Sequence, residues 1–139
     1  MCVSRRRNLW LWVASSRYTG QILAFALGDR SLDTLEELWE RVPDPWRKRL
    51  VYSDGYAVYA AFFSAWQHRP CRKGDGGTCT AEGVNNALRH RCGALVRRCC
   101  SRPRCPLWWH RRLLLSCHAH NQHARMRWQK QTRLTQSRH

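Results

Sequence analysis

Two apolar runs joined by a short polar link set the first constraint on the fold. Leu9 to Ala14 reads Leu-Trp-Leu-Trp-Val-Ala, and Gln21 to Leu27 reads Gln-Ile-Leu-Ala-Phe-Ala-Leu. Each has the length and the aromatic or aliphatic content of a buried strand. Ser15 to Gly20 is turn material, so the two runs form an antiparallel hairpin that Gly28 stops. Trp10 and Trp12 alternate within the first run, which favours a core or sheet-face role over a base-stacking platform.

The period then switches. Ser31 is placed to cap a helix whose Leu32, Leu35, Leu38, Trp39 and Val42 share one face, with Pro43 and Pro45 ending it. Its acids, Asp33, Glu36 and Glu37, suit the positive helix end and a solvated face. Leu50 to Ser53 is a third strand, Gly55 to Trp66 a helix, and Gln67 to Cys71 a short strand. The glycine-rich loop from Lys73 to Thr78 lacks the spacing of a phosphate-binding P-loop. Thr80 to Arg98 reads as a helix with Val84, Leu88, Cys92 and Leu95 as its apolar stripe. Strands interleaved with helices predict an α/β arrangement, helices packed on a mixed sheet.

Beyond Cys99 the pattern degrades. Arg102-Pro-Arg-Cys-Pro cannot be helix interior, His110 to Cys117 has helical character, and His118 to His139 is polar and basic enough to predict disorder. The expected division is a folded domain over 1–100 and a basic, poorly ordered segment over 101–139.

Charge is distributed in the same way. The net charge is +16, from 25 basic against 9 acidic residues, and 22 of the basic ones are Arg. Every acid lies between Asp29 and Glu82, and 13 basic residues follow Glu82. Such an excess points to a polyanionic partner, most simply nucleic acid. No secretory leader and no run of membrane-spanning length is visible. Eight cysteines form no Cys-x-x-Cys pair, and the irregular Cys117, His118, His120, His123 group lacks a second knuckle, so thiols are expected rather than zinc.

Two acids sit where chemistry is done. Asp54 follows the third strand and Glu82 opens the last helix, in surroundings otherwise crowded with positive charge. Glu82, Asn86 and Arg89 lie at i, i+4 and i+7, which places a carboxylate, an amide and a guanidinium in a row. Two carboxylates placed in this way are a candidate metal site. A solvated polar face is an equal reading of the same residues.

An ordered set of segments resembles one family. Trp10-Leu-Trp-Val-Ala, Gln21-Ile-Leu-Ala-Phe-Ala-Leu-Gly-Asp-Arg-Ser, Leu38-Trp-Glu-Arg-Val-Pro, Tyr52-Ser-Asp-Gly, Gln67-His-Arg-Pro and Glu82-Gly-Val-Asn-Asn-Ala-Leu-Arg-His-Arg are similar to the transposases of insertion sequence 1, InsB-type DDE recombinases. The resemblance spans about Arg5 to Arg98. It implies a ribonuclease H-like fold with an Asp, Asp, Glu triad holding two Mg²⁺ ions. By motif, Asp54 resembles the second aspartate and Glu82 the glutamate. Asn85 and Arg89 match polar positions after that glutamate, with Asn86 beside them. Two metals would activate a water or a 3′ hydroxyl for in-line displacement at a phosphodiester. Arg89, Arg91, Arg97 and Arg98 are the expected contacts to the DNA backbone. The implied partners are the element ends and the target DNA, with a second copy or an intact transposase also expected, at a cytoplasmic, nucleoid-associated location.

The departures shape the functional expectation. The first aspartate of the family lies on a central strand ahead of the Trp-rich one, and no acid precedes Asp29 here. That strand is expected to be missing. Gly83 stands where an Arg is usual, and Arg102 to Trp109 reads as a short out-of-frame window. The expected function is a transposase fragment from a reaction of DNA strand cleavage and transfer, inactive alone. The alternatives are a non-catalytic nucleic-acid-binding protein or a regulator of an intact transposase.

Overall fold

The computed structural model describes residues 1–4, 8–72, 75–95 and 105–136. Three strands, β1 (Cys2–Ser4), β2 (Leu9–Ser15) and β3 (Ile22–Gly28), form an antiparallel sheet in that order. The β2–β3 hairpin forms as its two apolar runs dictate, with Leu11 opposite Leu27 and Val13 opposite Phe25. Its turn closes through Ser16 N to Gln21 O at 2.8 Å and Gly20 N to Ser16 O at 2.9 Å. Gly20 takes φ +68° there, a left-handed conformation that costs glycine little.

The sheet is covered on both faces. Trp12, Ala24 and Ala26 point to one side, where they pack with Leu35, Leu38 and Val42 from α1 (Leu32–Arg41) and its cap, and with Phe63. Leu11, Ile22 and Phe25 belong to the other side, with Val84 and Leu88 of α4 (Cys79–Arg91) and with Trp109, Leu113 and Cys117. Burial on both faces explains why β2 and β3 read as unbroken apolar runs. Between α1 and α4 lie the one-turn α2 (Asp44–Arg47), β4 (Val51–Ser53), α3 (Ala57–Phe62) and β5 (His68–Pro70). β4 and β5 pair in parallel as a separate two-stranded sheet, Tyr52 opposite Arg69.

Local chemistry explains α1. Ser31 is its N-cap, accepting from Thr34 N at 3.4 Å. Asp29 reinforces the cap, accepting from Ser31 N at 3.1 Å, from Thr34 Oγ1 at 3.0 Å and from the Ser31 hydroxyl. These donors, the Ser31 and Thr34 hydroxyls first, hold the Asp29 carboxyl below its ordinary range. Gly28 lets Thr34 approach the end of β3, since a Cβ at Gly28 would collide with that side chain.

Two differences from the sequence reading stand out. A strand does precede the Trp-rich one: β1, three residues long and on the sheet edge, too short to show a period. It carries no acid. The larger correction concerns the expected disordered tail. Pro106–Gln136 is one helix, α5, of 31 residues. Trp109, Leu113, Cys117, His120 and Ala124 recur every three or four residues and are buried. Asn121 adds a side-chain clamp across 99 residues of sequence: it accepts from Ile22 N at 2.7 Å and donates to Ile22 O at 2.8 Å. His120 Nε2 meets Gly20 O at 2.8 Å. Pro106 is tolerated because it opens the helix, where its missing N–H would have no intrahelical partner. After Ala124 the helix has no buried residue, so the last 12 residues extend about 18 Å beyond the core.

Candidate functional site

Asp54 leaves the C-terminal end of β4, and Glu82 lies in the first turn of α4. They are 28 residues apart in sequence, yet both line one cleft of about 920 Å³ between the sheet, α1, β4 and α4. Arg17, Arg30, Lys48 and Arg49 line it too, as do Trp10, Tyr52 and Tyr56. The cleft therefore pairs four basic side chains with two carboxylates.

The carboxylates are exposed and lightly engaged. Asp54 Oδ1 accepts from Tyr56 N at 3.3 Å, which turns the chain from β4 toward α3. Glu82 Oε1 accepts from Thr78 Oγ1 at 3.2 Å. Neither belongs to an ion pair among the described residues, where the pairs are Arg41–Glu37 and Arg47–Asp44. Both keep oxygen lone pairs for another ligand.

The end of β4 is held from below. Tyr52 and Asp54 are exposed at the cleft, and Ser53 between them is buried. The buried Ser53 hydroxyl donates to Asp54 O at 2.9 Å. His68 Nε2 lies 2.7 Å from Ser53 Oγ. With the Ser53 proton already committed, the network assigns the Nε2–H tautomer to His68, which donates. The phenol of Tyr59, in the next turn, is pushed up to about 12, first by burial and then by the Asp54 charge.

The other residues that the sequence singles out divide by position. Asn85 lines the cleft beside Glu82. Asn86, Arg89 and Arg91 are exposed on α4 and do not line it, although Arg89 is near enough to the Met1 amino group to lower its pKa after burial does so. Arg97 and Arg98 lie outside the described residues, as does the 102–104 part of the Arg102 to Trp109 window. Cys117 and His120 face the core while His118 and His123 face solvent, so one helix separates the four. Burial pushes the Cys117 thiol up to about 12. Among the described residues no group of three His, Cys, Asp or Glu side chains is placed to hold a metal. No helix among them is long and apolar enough to cross a membrane.

Arg17, Arg30, Tyr52 and Tyr56 are cleft residues that the sequence reading does not single out. The alternation Tyr52, Asp54, Tyr56 is the signal that could have found two of them. The Trp-rich strand splits by side: Trp12 is buried and donates from Nε1 to Asp29 O at 2.8 Å, while Trp10 is half-buried at the cleft.

The structure is a basic α/β fold with two carboxylates in an arginine-lined cleft. The sequence model of the IS1 transposase family matches residues 1–110 of the 139. The chain belongs to the IS1 transposase family. The match reaches through β1 and into the start of α5, beyond the Arg5 to Arg98 span of the resemblance. No curated protein and no solved structure matches the chain at a significant level.

Proposed function

We propose that this chain is the DNA-binding, metal-dependent part of an IS1-type transposase, acting in DNA strand cleavage and transfer, and that Asp54 and Glu82 are two carboxylates of its reaction centre. The observation that carries this reading is that Asp54 and Glu82 both line one arginine-lined cleft. Mg²⁺ takes one or two protein carboxylates and completes its shell with waters and phosphate oxygens. Two exposed carboxylates with open lone pairs match the donor chemistry of one such ion, and the two-metal set needs a further acidic ligand. When bound, the metal supplies charge neutralisation and water activation at a phosphodiester. The chain's own residues then have distinct tasks. Asp54 and Glu82 provide hard oxygen donors, Ser53 and His68 fix the β4 end that carries Asp54, and Asn85 offers an amide beside Glu82.

The ribonuclease H-like reading is part of the same proposal. Helices on both faces, an antiparallel three-stranded sheet and a parallel β4–β5 pair support it. With two carboxylates only, we infer that the chain alone binds DNA without cutting it. The rival reading of a non-catalytic nucleic-acid-binding protein makes binding indifferent to Asp54 and Glu82, and a regulator of an intact transposase would co-purify with that partner.

DNA binding measured with and without Mg²⁺ separates the two. In EDTA, Asp54→Asn removes a negative charge facing phosphate and tightens binding about two- to five-fold, the scale of an exposed charge pair. In Mg²⁺ the same substitution weakens it, because Asp54 would be one of the oxygen donors that hold the metal. Binding by Asp54→Asn and Glu82→Gln that matches the parent chain in both buffers supports the rival. Mg²⁺-dependent strand cutting by the parent chain, abolished by Asp54→Asn, overturns the inference that it cannot cut alone.

A further inference from the structure

Two guanidinium groups in the cleft are held by aromatic rings rather than by acids. The guanidinium carbon of Arg30 lies 3.8 Å from the ring centroid of Tyr56 and 4.5 Å from that of Trp10. The guanidinium carbon of Arg17 lies 4.4 Å from the ring centroid of Tyr52. Backbone anchors support both: Tyr56 Oη donates to Arg30 O at 2.8 Å, and Thr80 Oγ1 donates to Arg17 O at 3.2 Å. Neither guanidinium forms an ion pair among the described residues.

Stacking occupies the faces of a guanidinium and leaves its N–H edge available to acceptors in the ring plane. It also fixes the side chain before any ligand arrives, so little rotamer freedom remains to be lost on binding. The two ring partners bracket the carboxylate in sequence. Tyr52 and Tyr56 lie two residues to either side of Asp54, and all three line the same cleft.

We propose that Arg17 and Arg30 are paired phosphate clamps that grip one DNA strand on either side of the bond facing Asp54. Bidentate N–H donation suits phosphate oxygens, and the strand then crosses the cleft with its backbone toward β4. The proposal rests on the DNA reading above and adds the residues that orient the strand.

The test uses the full chain and a short fluorescein-labelled single-stranded deoxyoligonucleotide, in EDTA, followed by anisotropy over a NaCl series. Each phosphate contact on a single strand contributes about 0.7 to the slope of log K against log salt. Arg17→Gln and Arg30→Gln are each expected to lower that slope by about 0.7, and the double variant by about 1.4. Arg30→Lys keeps the charge but not the planar fork, and is expected to weaken binding while holding the slope. A measurement that needs no substitution accompanies these: bound oligonucleotide should protect Arg17 and Arg30 from an arginine-specific dicarbonyl reagent, read by peptide mass spectrometry. Unchanged slopes, absent protection, or slope losses seen on duplex but not on single strands overturn the clamp. The two readings fail separately. The clamp fails on slopes in EDTA, and the carboxylate reading fails on Mg²⁺ dependence.

Discussion

Replacing Leu113 by Ala tests whether the basic C-terminal helix is part of the fold. Leu113 is fully buried, among Leu88 and Val84 of α4, Phe25 of β3 and Trp109 one turn away. Emptying such a site removes the transfer energy of the lost methyl and methylene groups and leaves a cavity, about 2–5 kcal/mol in all. Unfolding entropy of about 2.1 cal/mol/K per residue gives roughly 0.29 kcal/mol/K for 139 residues. A loss of about 3 kcal/mol therefore lowers the melting temperature by about 10 °C. Leu115→Ala is the matched control, since Leu115 is 71% exposed on the same helix. It should cost at most about 0.5 kcal/mol, or about 2 °C. Thermal melts by far-ultraviolet circular dichroism and tryptophan fluorescence read both variants. Equal, small shifts for the two would refute the placement of α5 in the core, and with it the shared core that unites α5 with α4.

Single contacts elsewhere make two more predictions. His68→Leu removes the buried bond to Ser53 and should cost about 1–3 kcal/mol in urea unfolding, with the Ser53→Ala, His68→Leu double variant falling short of the sum of the singles. Asp29 has a folded pKa below its ordinary value, so its contribution to stability is complete above about pH 3.8 and is lost as pH falls through the lower folded value. The stability gap between the parent chain and Asp29→Asn should accordingly hold at neutral pH and close in acid.

How much of the fold is legible depends on how strongly each segment repeats its period. Leu9 to Leu27 and the capped helix after Ser31 are long, apolar and punctuated by turn residues, and they fold as their patterns dictate. Leu32 falls on the α1 apolar face by spacing, but it is 43% exposed because it begins the helix before the sheet covers it. The stripe of α5 is hidden by chemistry. Trp109 and Leu113 are plainly apolar, but Cys117, His120 and Ala124 are weak signals in a segment full of Arg and Gln. Tertiary contacts that sequence cannot pair, such as Asn121 with both backbone groups of Ile22, decide the matter. In the site, Asp54 and Glu82 stand out because acids are scarce in their surroundings. Arg17 and Arg30 do not, because each is one of 22 arginines and only its ring neighbours distinguish it.

If Asp54 and Glu82 act together on one divalent cation, electron paramagnetic resonance of Mn²⁺ titrated into the full chain with the single-stranded oligonucleotide reads that site. Asp54→Asn and Glu82→Gln should each weaken Mn²⁺ binding, and the double variant should be little worse than either single, as expected for two ligands of one ion. Mn²⁺ binding that survives both substitutions unchanged would contradict the account.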